Sequence, residues 1–497
     1  MIPILTAPIT RRSMLRRISY VVGAVVAASG VAMVPAAIVA GIYAEWADMG
    51  AILASAVITV AAGLVGWRII GSAQGELTAK EGFAIVGFSW FVMAIFGSLP
   101  YLLSGSITSI TDAYFETASG FTTTGASILA DPGALSHGLL FWRASTQWVG
   151  GMGIIVLSIA ILPLLGVGGV QLARAESPGP QPDRLTPRFR ETAKRLWLLY
   201  AALTVVEALL LAAGEMDLFQ GFAHAMTTMS TGGFGTEATS IGGFGAYTQW
   251  VIIVFMFIAG TSFALHYRAL RKPFEYARNT EFRVYAAITL AAIIIITGGL
   301  IANGVWSEKT IRDGTFTAVT LITTTGFGTE DFTQWVSGLQ IFVVGAMFLG
   351  GMAGSTAGGV KTFRIAVLAK AANNDLRRVV RPHGVFVTRF GKSAVPDSIV
   401  ESIQSFFLFY MFLFMTGTFL LGFISSNMSA GLDLVTEASA VASALGNIGP
   451  GLGDVGPAAN YAVIPGPGKW LLATLMIAGR LELFPVLLLA TRELWRR

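Results

Sequence analysis

Short polar stretches rich in threonine and glycine recur four times between long apolar segments of this sequence. They cover residues 122–127, 231–235 and 324–328, with a weaker fourth copy at 447–451. A cation that leaves water needs oxygen ligands, and backbone carbonyls from four surrounding strands can supply them. Glycine adopts backbone conformations that turn carbonyls inward and that residues with a Cβ resist. The repetition therefore predicts one ion selectivity filter assembled from four quarters.

The predicted ion-binding residues are the glycine of each copy and the two residues before it. They are Thr123, Thr124, Gly125, Thr231, Gly232, Gly233, Thr324, Thr325, Gly326, Asn447, Ile448 and Gly449. Clusters of threonine and glycine also end helices or allow helices to pack closely, and that reading suits any single cluster equally well. Four clusters in the same context favour the filter.

The composition places the chain in a lipid bilayer. Of its 497 residues, 54% are hydrophobic and only 12% are charged, whereas a soluble domain is typically about 25% charged. The chain has no cysteine, which excludes disulfides and thiolate metal sites, and no pair of its four histidines has the spacing of a helical zinc site. The apolar segments offer no nucleophile with a base and no metal triad, so we predict that the chain is not an enzyme.

Most of the 33 lysines and arginines lie in alternate loops, as they do in the cytoplasmic loops of membrane proteins. Together with an even number of spans, this asymmetry predicts a multi-pass membrane protein with both termini in the cytoplasm. Membrane topology also accounts for the net charge of +5. Binding of nucleic acid would call for a basic soluble module, and the sequence contains none.

The apolar segments predict an all-α integral membrane protein with ten transmembrane helices. Two N-terminal spans (residues 1–75) precede four repeats, each made of a span, a pore helix, a filter stretch and a second span. The repeats are predicted over residues 76–173, 174–270, 271–376 and 377–497, and they form a pseudo-fourfold pore.

Each pore helix is too short to cross the hydrocarbon, which takes about 20 residues. We predict these helices over residues 112–119, 217–228, 313–322 and 433–444. Each begins with an aspartate that can cap free backbone amides, and these residues are Asp112, Asp217, Asp313 and Asp433. The negative end of each helix dipole would then point toward the filter, which favours a cation.

Glycines crowd the second span of the third repeat and predict a break in that helix. They are Gly345, Gly350, Gly351, Gly354, Gly358 and Gly359. Each weakens a helix by roughly 1 kcal/mol relative to alanine, so we expect a flexible gating loop beneath the filter, although a small-residue packing face is the alternative. Arg480 lies within an apolar segment and is predicted either to oppose cations and hold this loop or to form a buried ion pair. Glu207 is a second intramembrane charge, and the sequence names no partner for it.

These motifs resemble the Trk/Ktr/HKT superfamily of potassium transporters, in particular its bacterial Trk-type membrane subunit. The matching stretches are residues 115–126, 230–234, 323–327, 350–361, 445–451 and 479–482. The resemblance covers nearly the whole chain. It implies a pseudo-fourfold pore within one chain, K⁺ as the transported ion, a homodimer, and control by a peripheral cytoplasmic subunit that binds nucleotides. The acidic pair Glu330-Asp331 after the third filter departs from the usual pattern of the family.

Two other transport mechanisms remain open. The first is an H⁺- or Na⁺-coupled secondary transporter with broken helices at its midplane, although that class usually shows two related halves rather than four quarters. The second is sodium conduction. Glycine at all four filter positions argues against it, since members of the resembled family with serine in the first filter favour sodium.

Overall fold

The computed structural model describes residues 11–71, 78–160, 187–304 and 306–495 of the chain. The described part is mostly helical, with one two-residue hairpin formed by β1 (Arg389–Phe390) and β2 (Ser393–Ala394). The helices are α1 (Arg11–Val31), α2 (Val34–Ile42), α3 (Trp46–Leu64), α4 (Ala79–Gly97), α5 (Leu99–Ser104), α6 (Ile110–Phe121), α7 (His137–Ala160), α8 (Pro187–Ala212), α9 (Leu218–Met229), α10 (Ala246–Ala259), α11 (Phe263–Ala269), α12 (Glu275–Arg278), α13 (Thr280–Asn303), α14 (Glu308–Ile322), α15 (Ser337–Ala346), α16 (Thr362–Val380), α17 (Asp397–Asn427), α18 (Leu434–Gly446), α19 (Gly466–Arg480), α20 (Phe484–Leu489) and α21 (Arg492–Trp495). The predicted all-α class is thus confirmed at this level.

Six helical segments among the described residues are long and apolar enough to cross a membrane. They are Ser13–Ile42, Trp46–Ile70, Lys80–Ser104, Glu191–Ala212, Thr280–Asn303 and Asp397–Asn427. A seventh span is possible if α10 and α11, which are bent by 99° relative to each other, count as one. The chain is therefore a multi-pass membrane protein, whereas the assignment of ten spans remains a prediction.

The chain forms two compact units. The first comprises Met1–Ala118, Ser136–Trp142 and Leu481–Arg497. Within it α1 packs tightly on α3, since a Cβ at Gly23 or at Gly63 would overlap the backbone of the opposite helix. At the start of α4, Arg17 Nε donates to the buried Glu81 carboxylate at 2.8 Å. Small residues and one buried ion pair thus hold this unit together.

The second unit comprises Ser119–Leu135 and Arg143–Arg480 and contains all four filter stretches. Long apolar helices pack against short ones in it: α8 lies on α9, α13 on α14, and α17 on α18. One buried cluster joins Tyr285 of α13, Met347 after α15 and Ile448 of the fourth filter. The short helices are therefore covered by protein, as a half-helix within a membrane must be.

Three of the helices that follow a filter stretch are interrupted. α15 ends at Ala346 and α16 begins at Thr362, so residues 347–361 form the irregular segment that the glycines predicted. The other two were predicted as continuous spans, and that prediction was wrong: α10 ends at Ala259 before α11 begins at Phe263, and α19 ends at Arg480 before α20 begins at Phe484. Glu482 and Leu483 follow with left-handed φ values of +58° and +66°, which cannot continue a helix.

Two of the four predicted aspartate caps are correct. Asp217 and Asp433 cap α9 and α18 by accepting hydrogen bonds from the amides of the third helical residues. Asp112 lies instead in the first turn of α6, where the Ser109 hydroxyl accepts from its amide. Asp313 is also not a cap, because α14 begins at Glu308. In both helices a serine before the predicted segment accepts from a first-turn amide instead: Ser109 in α6 and Ser307 in α14.

Candidate cation site

The four filter stretches share one backbone conformation. Their first predicted residue has a left-handed φ in every copy: +52° at Thr123, +53° at Thr231, +56° at Thr324 and +54° at Asn447. The glycine two positions later is left-handed as well: +83° at Gly125, +76° at Gly233, +85° at Gly326 and +113° at Gly449. Residues other than glycine seldom adopt such angles. Two uncommon conformations at the same spacing in four places identify the copies as one repeated unit.

Each stretch is anchored to the end of a short helix by the same hydrogen bond. The amide of the middle residue donates to the carbonyl five positions earlier: Thr124 to Ser119 (2.9 Å), Gly232 to Thr227 (2.8 Å), Thr325 to Thr320 (2.9 Å) and Ile448 to Ser443 (3.0 Å). The acceptors lie in the last turn of α6, α9, α14 and α18. The negative ends of four helix dipoles therefore adjoin the four stretches, which favours a cation there.

The four stretches contact one another in a closed cycle. A Cβ at Gly125 would overlap the carbonyl oxygen of Gly232, one at Gly233 that of Thr325, and one at Gly326 that of Ile448. The cycle closes where a Cβ at Gly449 would lie 2.9 Å from the carbonyl oxygen of Thr124. We call this arrangement the carbonyl ring, formed by the carbonyls of Thr124, Gly232, Thr325 and Ile448. It needs glycine beside every carbonyl, because any side chain would take the space that the next quarter occupies.

The ring carbonyls differ in the hydrogen bonds that they accept from the protein. Among the described residues, the carbonyls of Thr124, Thr325 and Ile448 accept no hydrogen bond, whereas that of Gly232 accepts one from Gln147. One position later, the Gly449 carbonyl accepts from the hydroxyls of Ser443 (2.7 Å) and Tyr461 (2.8 Å). A carbonyl has two lone pairs, so the predicted ligand Gly449 has none left. Its glycine remains necessary for its φ.

Threonine hydroxyls add further oxygens to the first and third filter stretches. The Thr122 and Thr124 hydroxyls lie 2.7 Å apart, and those of Thr323 and Thr325 lie 2.8 Å apart. The buried Thr123 hydroxyl has no hydrogen-bond partner among the described residues. An unpartnered buried oxygen is costly unless something binds it, so this hydroxyl is a candidate ligand.

The glycine-rich segment lies directly against the filter stretches. Gly358 donates its amide to the Thr324 hydroxyl at 2.6 Å, and Gly359 donates to the Gly446 carbonyl at 2.9 Å. A Cβ at Gly358 would overlap that same Gly446 carbonyl. Gly350, Gly351 and Gly354 also lie in the irregular segment, whereas Gly345 lies in the last turn of α15. Backbone amides of the segment thus bind the third and fourth quarters directly.

Arg480 is bound to this segment through a single hydrogen bond. Its Nη1 donates to the Thr356 carbonyl at 2.6 Å, and Nε and Nη2 have no hydrogen-bond partner within the described ranges. The side chain is 2% exposed. Arg480 is the last residue of α19, not a mid-helix residue as predicted, and a cation is favoured at a helix C-terminus. The alternative of a buried ion pair finds no acidic partner in the described part of the chain.

A half-buried carboxylate contacts the segment, and a buried one lies beside the second filter. Glu281, at the start of α13, accepts from the Ala353 amide of the segment at 2.6 Å. Glu207 of α8 is fully buried beside the Thr228 hydroxyl, which donates its own proton to the His224 carbonyl at 2.7 Å. Neither oxygen of Glu207 has a hydrogen-bond partner among the residues described. A carboxyl so placed is a candidate for binding a proton.

The acidic pair after the third filter lies in a loop outside the spans. Burial raises the pKa of Glu330, and the nearby Asp313 carboxylate raises it further. The carboxylate of Asp331 accepts from the Thr333 amide at 3.0 Å and so starts a short helical turn. One member of the pair is therefore structural, and the other loses its charge more readily than an exposed glutamate.

Residues 49–496 match a known family described as "TrkH: Cation transport protein". The Trk system potassium uptake protein TrkH of Escherichia coli K12 is 39% identical over 488 residues, which is 97% of this chain and 99% of that protein. The chain belongs to the TrkH family. The TrkH of Halomonas elongata is 38% identical over 97% of this chain and all of that protein. The crystal structure of the potassium transporter TrkH from Vibrio parahaemolyticus superposes with a TM-score of 0.88 at 34% identity, over 98% of this chain and 100% of that one.

Membership in the TrkH family confirms the predicted resemblance to Trk-type membrane subunits. It also agrees with the prediction of a transporter rather than an enzyme, since the relatives are named as uptake proteins. The contacts of the filter and the irregular segment are those of this chain's own residues.

Sequence reasoning missed several residues that hold the filter stretches. Gln147 binds the second stretch at two backbone atoms. Arg143 donates to the Gly235 carbonyl at 2.9 Å and lies 3.5 Å from the centroid of the Phe234 ring. Tyr461 donates its amide to Ser127 of the first stretch as well as its hydroxyl to the fourth. A polar residue inside an apolar segment was the available signal for Gln147.

Proposed function

We propose that this chain carries K⁺ into the cytoplasm as a channel-like uptake subunit. The ion would pass through the carbonyl ring, where oxygens of the four filter stretches replace its water. A membrane potential of 100 mV, negative inside, contributes about 2.3 kcal/mol per charge to its entry. No covalently bound cofactor is needed for this reaction.

The observation that carries the proposal is the closed cycle of glycine–carbonyl contacts. It brings together residues from four separate parts of the sequence and leaves the Thr124, Thr325 and Ile448 carbonyls without hydrogen bonds among the described residues. Unpaired buried carbonyls are costly. A dehydrated cation would supply the positive charge that these oxygens lack. Relatives named as potassium uptake proteins support K⁺ as that cation.

The proposed topology has ten spans, with two in residues 1–75 and two in each of the repeats 76–173, 174–270, 271–376 and 377–497. Helices α6, α9, α14 and α18 serve as pore helices that enter from the outside and do not cross. Both termini would lie in the cytoplasm of a bacterium, and the protein in its inner membrane. Labelling of single cysteines placed in the alternate loops, which the cysteine-free chain permits, tests this orientation.

We further propose that the irregular segment and Arg480 form the gate. The segment is bound to the filter through Gly358 and Gly359 and to Arg480 through Thr356. Opening would require these hydrogen bonds to break together. The proposal includes a homodimer and a peripheral cytoplasmic nucleotide-binding subunit that drives this change, in keeping with relatives named as parts of a Trk system.

Ion flux into liposomes that carry the purified full-length chain tests the function. We expect K⁺ and Rb⁺ to enter under an imposed voltage, and Na⁺ and Li⁺ to enter more slowly. Equal flux of all four ions, or no flux without an H⁺ or Na⁺ gradient, would overturn the channel-like mechanism.

The second candidate is an H⁺- or Na⁺-coupled transporter, and the buried Glu207 favours the H⁺-coupled form. Its carboxyl lies beside the second pore helix without a hydrogen-bond partner in the described ranges. Replacing Glu207 by glutamine separates the two mechanisms. A coupled transporter would lose its response to a pH gradient, whereas a channel would retain its voltage-driven K⁺ flux.

A further inference from the structure

A buried glutamine grips one filter stretch from behind. Gln147 of α7 is fully buried, and its Nε2 donates to the Gly232 carbonyl at 2.7 Å. Its Oε1 accepts from the Phe234 amide at 3.1 Å. A carbonyl only accepts and an amide N–H only donates, so these two backbone groups fix the orientation of the side-chain amide. Gln147 thereby holds both sides of Gly233.

The other three quarters carry methionine at the corresponding position. Gln147 lies ten positions after the first residue of α7, and Met256, Met347 and Met476 lie ten positions after the first residues of α10, α15 and α19. All three methionines are buried. Methionine has nearly the length of glutamine but offers no N–H donor.

Contacts three residues further along verify this register. A Cβ at Gly150 would overlap the carbonyl oxygen of Phe121, and one at Gly479 would overlap that of Leu445. Phe121 and Leu445 each precede the filter glycine of their own repeat by four positions. The same two points of the repeat therefore meet in the first and fourth quarters, and Gln147 and Met476 are equivalent.

The carbonyl ring is consequently asymmetric. The Gly232 carbonyl is the one ring member, in the part of the chain that the structure describes, that a side chain holds by a hydrogen bond. A bound N–H fixes the direction of the carbonyl and places a partial positive charge beside its oxygen. Both effects weaken the attraction between this oxygen and a cation. The loss is largest for a small cation, which approaches the oxygen most closely, because Coulomb energy rises as separation falls.

We infer that Gln147 is a positioning residue that sets the cation preference of the filter through the Gly232 carbonyl. It keeps that oxygen from moving in around Na⁺ and lowers its field, so the ring discriminates in favour of K⁺. Ion selectivity can arise from cavity size or from the field strength of the carbonyls. The hydrogen bonds of Gln147 affect both. This inference rests on the proposed K⁺ passage through the ring.

The substitution Gln147→Met tests the inference, because it installs the residue of the other three quarters at nearly unchanged volume. We expect the ratio of K⁺ to Na⁺ flux in liposomes to fall about three- to tenfold, with K⁺ flux itself retained. Gln147→Asn is the second variant. Its side chain is one methylene shorter and cannot span the two backbone atoms, so its ratio should fall as well. A wild-type ratio in either folded variant would overturn the inference.

Gln249→Met is the matched control for loss of a buried glutamine. Gln249 occupies the same Thr-Gln-Trp triplet in the second repeat. It is 4% exposed and donates to the carbonyls of Ile241 (3.2 Å) and Phe244 (2.9 Å), neither of which belongs to the ring. Its K⁺ to Na⁺ ratio should stay at the wild-type value. A fall equal to that of Gln147→Met would make the effect one of general packing and refute the assignment.

The proposed function and the role of Gln147 are refuted by different results. If the wild-type chain passes no K⁺ under voltage, the proposed function fails. If it passes K⁺ selectively and Gln147→Met passes it with the same selectivity, the function stands and the role of Gln147 fails. Heat-induced unfolding of each variant in KCl and in NaCl gives a second readout. The stabilisation by K⁺ over Na⁺ should shrink in Gln147→Met and persist in Gln249→Met.

Discussion

Replacing Gly125 by serine should abolish the preference for K⁺ by breaking the carbonyl ring at its first contact. Gly125 has a φ of +83°, and a Cβ there would overlap the carbonyl oxygen of Gly232. Holding a residue with a Cβ at such an angle costs about 1–2 kcal/mol. The Gly232 oxygen must also withdraw by on the order of 1 Å, since nonbonded heavy atoms rest about 3.5 Å apart.

A displacement of this size removes one of four ring oxygens from ligand distance. Displacing a reacting group by 1 Å can cost on the order of 100-fold in rate where positioning is limiting. We therefore expect the K⁺ to Na⁺ ratio to approach one, and K⁺ flux under voltage to fall at least about tenfold. The assay is the liposome flux measurement with both cations at equal concentration and voltage.

Gly431→Ser is the control that separates backbone strain from the ring contact. Gly431 has a φ of +69°, and no atom lies within 4 Å of a Cβ built there. This variant should lose about 1–2 kcal/mol of unfolding free energy but keep wild-type selectivity. If both serine variants keep the wild-type ratio, or if both lose it equally, the cyclic arrangement of the filter is refuted.

Two further predictions concern the proposed gate and the loop between α2 and α3. Arg480→Gln should raise voltage-driven K⁺ flux about tenfold in the absence of any partner, because a hydrogen bond from a charged group to Thr356 contributes about 1.5–3 kcal/mol. The K⁺ flux of Arg480→Lys should remain closer to that of the wild type. Unchanged flux in Arg480→Gln would contradict the proposed gate. Although burial opposes it, hydrogen bonds from the amides of Gly138 and His137 lower the pKa of Glu45 below 4.5. A carboxyl whose pKa is lower in the folded than in the unfolded protein stabilises the fold when the pH lies above the unfolded-state pKa. This stabilisation is lost as the pH falls through the folded-state pKa. The unfolding temperature of the wild type should therefore drop more steeply below pH 4.5 than that of Glu45→Gln, and parallel curves would refute this role.

The positions of the four recurring stretches could be predicted because they depend on local sequence. Each stretch has three features with a sequence signal: a left-handed residue, a glycine two positions later and a preceding short helix. The signals are the threonines, the glycines and the helix-capping residues. The same signal recurs in four places, so a weak copy such as residues 447–451 gains support from the others. The irregular segment after α15 was equally visible, because its glycines lie close together in the sequence.

The break after α10 could not be predicted, because long-range contacts stabilise it. After α10, the freed Gly260 carbonyl accepts from the Met352 amide, and the Phe263 amide donates to the Gly354 carbonyl. The irregular segment of the third repeat thus satisfies the backbone of the second. No residue between 246 and 269 carries that information.

Gln147 shows a similar limit within the site. Its polarity in an apolar helix was visible, but its target lies 85 positions away in the chain. Only the comparison with Met256, Met347 and Met476 at the same register distinguishes it, and that register depends on where each helix begins. Helix boundaries are the least certain element of a prediction from sequence, so the asymmetry of the ring emerges from the structure alone.

The closed ring also sets the order in which the protein can be completed during synthesis. Its last contact joins the first and fourth quarters, where Asn447 donates to the Thr124 hydroxyl across 323 positions. At about 5–20 residues per second, the ribosome needs roughly 16–65 seconds to travel that distance. Until then the first quarter has no neighbour on one side, and the ring oxygens cannot surround an ion. A nascent chain therefore cannot contain the complete ring, and the proposed pathway for ions would form only once the fourth quarter has been made.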